Sequence, residues 1–287
     1  MRNDVRIADN QAADLLWPAA KAAHLFADRT TYDEFRASGP WRVLAGANGA
    51  GVVLERWRDH LDILAARAIW ASPSQLSHVI SGIEDVARDQ GFTTILSPLV
   101  PVSQSQHYVE VGFQPHQRIV VLRSGKKDIA NLTVSPLSGV SIRPLVSDDI
   151  LGLIDIDADC FDDFWRYEPY RLAERLVGSR TLVAESREGL IGYTHATIDR
   201  GSGTIGRLAV VKSGRRSGVG SALLLSMMQL LFRAGVAAVS LCTQEENAAS
   251  RALYARVGLR EMPERLLFLT KTRQVLGRGA ERGNEAG

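Results

Sequence analysis

The chain has 287 residues, of which 45% are hydrophobic and 23% are charged. This composition excludes wholesale disorder and collagen-like repeats, and the length suits one large domain or two of ordinary size. Thirty-four basic and 32 acidic residues leave a formal charge of +2. That balance gives no general electrostatic reason to bind nucleic acid or an anionic membrane surface.

The two cysteines, Cys160 and Cys242, are too few for a disulfide framework or a four-ligand zinc site. We therefore expect a reduced, cytoplasmic protein that holds no metal. No apolar run reaches the roughly 20 residues that span a bilayer, so we also expect no membrane span.

Taken in chain order, the sequence patterns predict two similar series of secondary-structure elements, one in each half of the chain. The first series contains a strand at 5–7, helices at 11–26 and 76–90, a strand at 92–96 and a last strand at 119–122. The second contains a strand at 140–142, a helix at 148–161, strands at 181–185, 191–198 and 204–211, a helix at 222–234, a strand at 236–241 and a last strand at 266–269. Matched glycines, Gly91 with Gly235 and Gly112 with Gly258, end helices at corresponding places.

The repeated order indicates an internal duplication. Hairpins followed by strand–helix–strand predict an α/β fold with a mixed sheet and helices on both faces. We expect a first domain at 1–124, a linker at 125–139, a second domain at 140–273 and a flexible tail at 274–287.

The segment 208–221 is the most informative part of the sequence. A strand ends, Arg215-x-x-Gly218-x-Gly220 follows, and an apolar helix begins at once. A helix N-terminus offers unpaired N–H groups and a partial positive charge, and glycine lets the backbone approach an anion closely. The order predicts a diphosphate cradle, although the glycines alone also fit a plain strand–turn–helix connection. The dinucleotide-binding fingerprint, which has three glycines, is absent.

A second motif follows downstream, from Asn247 through Tyr254 to Gly258. Together the two motifs resemble the GNAT superfamily of acetyl-CoA-dependent N-acetyltransferases, and the resemblance covers about 140–269. Combined with the repeat, it implies two tandem GNAT folds, with acetyl-CoA as cosubstrate and an amine as acceptor.

The resemblance also implies roles for individual residues. Tyr254 is the expected general acid that protonates the leaving CoA thiolate, and the backbone N–H of Val210 is the expected donor to the thioester oxygen. The expected acetyl-CoA-binding residues are Leu208, Ala209, Val210, Arg215, Arg216, Ser217, Gly218, Val219, Gly220, Ser221 and Asn247.

The sequence assigns no general base. Some relatives, such as the ribosomal-protein alanine acetyltransferases, carry Glu five residues before the Asn, and here that position is Cys242. We expect Cys242 to be a small buried residue, with a base or acyl-carrier role as an alternative. His195, Glu245 and Glu246 remain further candidates, or the amine arrives already deprotonated.

Residues 159–170 combine aromatic and acidic side chains. In GNAT-like folds this region shapes the acceptor pocket, where such residues would suit a cationic amine with an apolar body. The same pattern fits an amphipathic helix that packs its aromatics inward, and both interpretations stay open.

The first half lacks the acetyl-CoA motif. In place of the phosphate loop it has residues Trp70 to Leu76, and Pro73 in this segment has no N–H to offer a phosphate. Tyr108 corresponds to Tyr254, but the residue seven positions before it is Pro101 and not Asn. We interpret this half as a degenerate GNAT-like domain that props up or closes the acceptor site. The layout, with one competent site in two halves, resembles that of mycothiol synthase in architecture only.

The sequence thus predicts an N-acetyltransferase whose second half acetylates a primary amine of a small molecule by direct attack. Acetylation of a protein or peptide amine is one alternative. A non-catalytic acyl-CoA-binding sensor is the other.

Overall fold

The computed structural model describes residues 5–134 and 136–272, and the predicted tail at 274–287 lies outside the described residues. The first half contains β1 (Arg6–Ile7), α1 (Asn10–Ala22), α2 (Arg29–Ala37), β2 (Val43–Ala45), β3 (Gly51–Arg56), β4 (Ile63–Trp70), α3 (Pro73–Asp89), β5 (Thr94–Leu96), β6 (Val100–Pro101), α4 (Ser105–Glu110) and β7 (Gln114–Gly125).

The second half contains β8 (Val140–Pro144), α5 (Ile150–Cys160), α6 (Pro169–Val177), β9 (Arg180–Ser186), β10 (Gly189–Asp199), β11 (Ser202–Val210), α7 (Val219–Arg233), β12 (Ala238–Gln244), α8 (Ala248–Arg256) and β13 (Arg260–Thr272). Strands β9 to β11 lie within two residues of their predicted bounds.

The helix predicted at 11–26 is shorter than expected. It ends at Ala22, and His24 then adopts a left-handed backbone with φ 55°, which an α-helix cannot continue. The chain restarts as α2, where the Asp28 side chain accepts a 2.8 Å hydrogen bond from the N–H of Thr31 and caps the new helix.

The thirteen strands among the described residues belong to one mixed sheet, in agreement with the predicted α/β fold. The strand order is β1-β2-β3-β4-β5-β13-β7-β12-β11-β10-β9-β8, and β6 pairs with β13. The last strand of each half is exchanged: β13 pairs with β5 of the first half, and β7 pairs with β12 of the second. The repeat predicts a last strand for each half but does not reveal which half receives it.

The exchange carries apolar side chains between the two cores. Leu267 and Leu269 of β13 are buried in the cluster that packs under α3, in the first half. Val120 and Leu122 of β7 are buried in the cluster under α7 and α8, in the second half. Each half therefore completes its core with a strand from the other.

Helices cover both faces of the sheet, as predicted. In the first half α1 and α2 pack on one face and α3 on the other. In the second half α5 and α6 pack on one face, and α7 and α8 on the other.

The strand exchange predicts that a substitution in β13 weakens the first half as well. Leu269→Ala removes a fully buried side chain and should lower the free energy of unfolding by about 2–5 kcal/mol. Urea denaturation followed by circular dichroism and by tryptophan fluorescence should show one shared transition that moves to lower urea. Leu15→Ala, which truncates a 75% exposed leucine of α1, is the control and should leave the transition in place. Two separate transitions, of which only one moves, would contradict the exchange.

Candidate active site

Strands β11 and β12 separate soon after they begin. They pair in parallel only over Ser202–Thr204 and Ala238–Ser240, whereas β11 stays paired with β10 as far as Val210. A register shift leaves Gly206 as an extra residue of β11, where a Cβ would stand 2.6 Å from the His195 ring. Such a bulge bends its strand. A cleft therefore opens between residues 205–210 and β12.

The exposed edge of β11 presents free peptide groups to this cleft. The N–H of Val211 donates to the carbonyl of Ile191 at 3.0 Å. In an antiparallel pair, the peptide groups of every second residue point toward the partner strand, so this bond shows which residues of β11 face β10. The peptide groups of Ala209 accordingly face β10, and those of Leu208 and Val210 face away from it. The carbonyl of Val210 accepts from Arg215 Nε at 3.0 Å and from the Cys160 thiol at 3.4 Å, while its N–H remains available to a ligand that lies along the strand.

The loop after β11 ends at the N-terminus of α7. Gly218 is the N-cap, with φ 91°, and no side chain caps the helix. The first intrahelical bond runs from the N–H of Ala222 to the carbonyl of Gly218. The N–H groups of Val219, Gly220 and Ser221 consequently have no partner within the helix and can hold an anion.

A cleft of about 1100 Å³ runs from the β11 edge to this helix terminus. It brings together most of the predicted cofactor residues: Leu208, Ala209, Val210, Arg215, Arg216, Gly218, Gly220, Ser221 and Asn247. Ser217 and Val219 do not line it with their side chains, because Ser217 Oγ donates to the carbonyl of Gly214 at 2.6 Å and Val219 is buried.

The cleft also contains two cations that the motif did not single out, Lys212 and Arg256. With Arg215 and Arg216 they place four positive charges around the cradle. Their positions at the end of the strand and in the last turn of α8 were visible in the sequence, but only the packing of α8 beside α7 brings Arg256 to the loop. Gly220 permits that packing, since a Cβ there would lie 3.0 Å from Leu253.

A smaller chamber of about 120 Å³ continues from the cleft toward β12. The two cavities share four lining residues, Phe161, Leu208, Asn247 and Ser250. Tyr254 and Cys242 line the chamber, as does Arg207. The predicted acid thus lines a chamber that meets the cleft at Leu208, two residues before the predicted thioester position at Val210.

Tyr254 and Asn247 are positioned by the short helix α8. Asn247 is its N-cap, and its side-chain oxygen accepts from the N–H of Ser250 at 3.1 Å. Burial raises the pKa of the Tyr254 phenol, and a hydrogen bond with the Ser250 side chain opposes that rise in part. A phenol in this setting remains protonated at neutral pH.

The sequence of this half identifies its family. Residues 150–259 match the family model described as the acetyltransferase (GNAT) family. These residues form a GNAT-family acetyltransferase domain. The protein is accordingly an acyltransferase.

Solved structures share the fold over nearly the whole chain. A GCN5-related N-acetyltransferase from Sphaerobacter thermophilus is 18% identical and has a TM-score of 0.64, with 93% of this chain and 95% of that one covered. A tandem GNAT protein from the clavulanic acid biosynthesis pathway is 13% identical and has a TM-score of 0.66, with coverages of 94% and 97%. At these identities the likeness establishes the fold alone. No curated protein matches the chain in sequence.

Cys242 does not have the packed environment that we expected. Its side chain is exposed although it lies deep in the GNAT domain, because it faces the chamber. Burial raises the pKa of its thiol, and the charge of Arg58 lowers it by less. The thiol is therefore mostly protonated at neutral pH, which makes it a weak base.

The other base candidates lie outside the chamber. His195 is buried among Arg175, Arg207 and Arg58, and burial together with these charges lowers its pKa to about 4. Glu245 forms ion pairs with Arg265 at 2.9 Å and Arg118 at 3.6 Å. Among the described residues that line the chamber, none is Asp, Glu or His.

The segment 159–170 contributes aromatics to the chamber but not acids. Phe161 and Trp165 line it, whereas Asp162 and Asp163 are exposed. The side chain of Asp162 accepts from the N–H of Trp165 at 3.0 Å, and Asp163 pairs with Arg166. The pocket interpretation therefore holds for the aromatic residues and fails for the carboxylates.

A buried ion pair fixes the wall behind these aromatics. Arg207 holds both oxygens of Asp157 at 2.8 Å and also donates to the carbonyl of Trp165 at 2.7 Å. The hydroxyl of Tyr193 donates to Asp157 as well. The pair ties α5 and the 161–167 segment to β10 and β11.

The first half supplies two residues to the chamber of the GNAT domain, Arg58 and Ile119. Its own counterpart of the cradle, the N-terminus of α3, is closed by side chains. Pro73 occupies the first helical position, and the Ser72 N–H and hydroxyl both donate to Gln75 Oε1, at 3.0 and 2.9 Å.

Residues 5–134 and 136–272 lack two features, a membrane-spanning helix and a cluster of potential metal ligands. None of their helices has the length and apolar character needed to cross a membrane. Their His, Cys, Asp and Glu side chains form no cluster of three or more that could hold a metal ion.

The cradle can be tested by comparing glycines at the two ends of α7. Gly218→Ala adds a Cβ at φ 91°, 3.2 Å from Leu137, and should lower the affinity for acetyl-CoA roughly tenfold. Gly235→Ala adds the same backbone strain at φ 88° but meets open space at the far end of the helix. Calorimetric titration should find normal affinity in the control, and equal affinities in the two variants would contradict the assignment of the cradle.

His195 predicts a specific dependence of stability on pH. Its pKa rises from about 4 in the folded state to about 6.5 on unfolding, so the unfolded chain binds the additional proton. Stability from this group is complete above pH 6.5 and declines by about 3 kcal/mol as the pH falls to 4. His195→Gln should remove that part of the slope, measured by urea denaturation at several pH values.

The control for this experiment is His78→Gln, in an exposed position of α3. Folding does not remove that side chain from water, so its replacement should preserve the slope. An unchanged slope in His195→Gln would show that the imidazole is not held neutral by its burial.

Proposed function

We propose that the protein transfers the acetyl group of acetyl-CoA to a primary amine of a small molecule, with the second half as the active half. One observation carries the proposal: the anion cradle of α7 and the Tyr254 chamber are connected cavities with four lining residues in common. A CoA molecule with its diphosphate at the cradle can therefore extend along β11 and bring its thioester to Tyr254.

The cleft supports a role for each end of the cosubstrate. The free N–H groups of Val219, Gly220 and Ser221 and the four surrounding cations suit phosphate oxygens. The peptide groups of Leu208 and Val210 suit a pantetheine arm that adds to the sheet edge. The capping role of Asn247 uses its side-chain oxygen, so its amide NH₂ remains for the same arm.

The transfer requires no covalent enzyme intermediate. The amine nitrogen attacks the thioester carbon, the C–N bond forms, and the C–S bond breaks. The N–H of Val210 stabilises charge on the carbonyl oxygen during the attack. Tyr254 gives its proton to the departing thiolate, and its phenolate is reprotonated through water by the proton that the acylated nitrogen releases.

The chamber favours a neutral amine. None of the described residues that line it is Asp, Glu or His, so no side chain there is a general base. Removal from bulk water disfavours the charged ammonium, and the amine can lose its proton to water as it enters.

The size of the chamber supports a small acceptor over a protein. About 120 Å³ holds on the order of ten water-sized groups, which suits a small molecule, and Arg58 and Trp165 form part of its wall. We propose further that 1–124 and 140–273 act as a supporting and a catalytic half joined by 125–139, in the cytoplasm.

Replacement of Tyr254 tests the reaction. Tyr254→Phe should bind acetyl-CoA normally and lower kcat by about 100-fold or more, because the thiolate loses its proton donor. Since burial raises the phenol pKa above its usual value near 10, kcat of the parent protein should not fall between pH 7 and about 9.5. Release of the CoA thiol with a panel of amines measures both.

Tyr108→Phe is the matched control in the first half. Burial raises the pKa of Tyr108 to about 12, but this tyrosine does not line the chamber, so its variant should retain full kcat. Normal turnover in Tyr254→Phe would refute the acid. Tight acetyl-CoA binding without turnover of any amine would favour a sensor.

A further inference from the structure

Arg58 is a charged residue that the first half places in the active-site chamber. It lies in a short helical turn between β3 and β4 and lines the same cavity as Tyr254 and Cys242. Two of its guanidinium nitrogens, Nε and Nη1, are buried and make no hydrogen bond within the part of the chain that the structure describes. A buried donor without a hydrogen-bond partner lowers the stability of the fold. The two unpartnered donors of Arg58 therefore call for a physical explanation, such as a ligand that accepts from them.

The surroundings of Arg58 leave its charge uncompensated. Asp157, the carboxylate whose charge acts on Arg58, is already bound by Arg207 and Tyr193. Arg207 and Arg175 add positive charge to the same region. Among the described residues no carboxylate comes within ion-pair distance of the Arg58 guanidinium.

Aromatic rings hold the guanidinium in place. Its central carbon lies 4.1 Å from the ring centre of Tyr167, 4.9 Å from that of Trp57 and 5.1 Å from that of Trp165. Such stacking offsets part of the cost of burial but satisfies no N–H. Burial lowers the pKa of Arg58 to about 10, so the side chain is still charged at neutral pH.

The backbone at Arg58 is strained in order to reach this position. Arg58 and Asp59 both have left-handed φ angles, 52° and 67°. Adjacent non-glycine residues in this region cost free energy and persist where the surroundings determine them.

Four polar contacts to the second half supply that constraint. The Trp57 indole donates to the carbonyl of Phe164 at 2.7 Å, and the N–H of Glu168 donates to the carbonyl of Arg58 at 3.3 Å. His60 Nε2 donates to the carbonyl of Arg166 at 3.1 Å, and Arg171 pairs with Asp59 at 3.1 Å. These contacts hold the turn against residues 164–171 of the second half, with Arg58 at the centre of the turn.

We infer that Arg58 binds a carboxylate of the acceptor. The amine substrate is therefore a small molecule that carries both a primary amine and a carboxylate, as amino acids do. The inference rests on the proposed function, of which it names the substrate class. The planar guanidinium matches a carboxylate in shape and charge. A molecule whose carboxylate meets Arg58 keeps its amine in the small chamber that Tyr254 also lines. This assignment replaces the expectation of an acidic pocket for a cationic body.

The first experiment compares acceptors that differ only in the anionic group. Glycine, β-alanine, 4-aminobutanoate and 5-aminopentanoate are tested against the carboxamide of each, with the full chain and saturating acetyl-CoA. The best carboxylate should exceed its carboxamide in kcat/KM by roughly 10- to 100-fold, the range for a hydrogen-bonded charge. Arg58→Met should reduce this ratio toward one, chiefly through KM, and Arg58→Lys should restore part of it.

Arg42→Met is the matched control. Arg42 is also stacked on aromatic rings, 4.7 Å from Phe35 and 4.9 Å from Trp41, with a buried and unpartnered Nε, but it does not line the chamber. Its variant should keep the preference for carboxylates. Equal turnover of carboxylates and carboxamides by the parent protein would overturn the inference, as would a higher kcat/KM for O-phosphoethanolamine than for any carboxylate.

A binding measurement separates this inference from the proposed function. Propanoate and propanamide are titrated into the protein with bound CoA, and tryptophan fluorescence is followed because Trp57 and Trp165 adjoin Arg58. Propanoate should bind roughly 10- to 100-fold more tightly than propanamide, and Arg58→Met should lose this difference but bind CoA normally. Propanoate binding without turnover of any amine would count against the proposed function only. Absence of any difference between the two probes would refute the carboxylate site.

Discussion

The exchange of the two last strands is the constraint on which the rest of the structure depends. β13 lies between β5 and β7, and β7 lies between β13 and β12, so neither half has a complete sheet of its own. The backbone hydrogen bonds and the buried leucines of these strands fix the relative position of the halves. That rigid junction brings Ile119 of β7 and the Arg58 turn to a chamber whose other residues come from the second half.

A local failure of strand pairing creates the cofactor cleft. Because β11 leaves β12 after three residue pairs, its peptide groups lack a partner strand on that side, and the N–H of Val210 can pair with an extended ligand. The free N–H groups of α7 lie at the end of the same strand. Backbone geometry and four nearby cations thus suit the N-terminus of α7 to an anion, and a net charge of only +2 for the whole chain does not report such a local arrangement.

The two arginines that line the chamber have different surroundings. Arg207 is fully engaged with Asp157 and the Trp165 carbonyl, so it stabilises the wall without offering a free charge. Arg58 is held by aromatic stacking and a strained turn, and its Nε and Nη1 have no partner among the described residues. This contrast is the physical basis for treating one arginine as a structural element and the other as a receptor for substrate.

The sequence by itself determined the order of elements, the mixed α/β class, the cradle loop and the positions of Asn247 and Tyr254, because these depend on local periodicity, glycine and capping. It did not determine that Cys242 faces a cavity or that His195 is buried away from it, since both depend on how β10, β11 and β12 diverge. Nor could it show the strand exchange, because a strand's residues do not specify its neighbour. Arg58 lies 196 residues before Tyr254, and only tertiary packing across the exchanged strands places the two in one chamber.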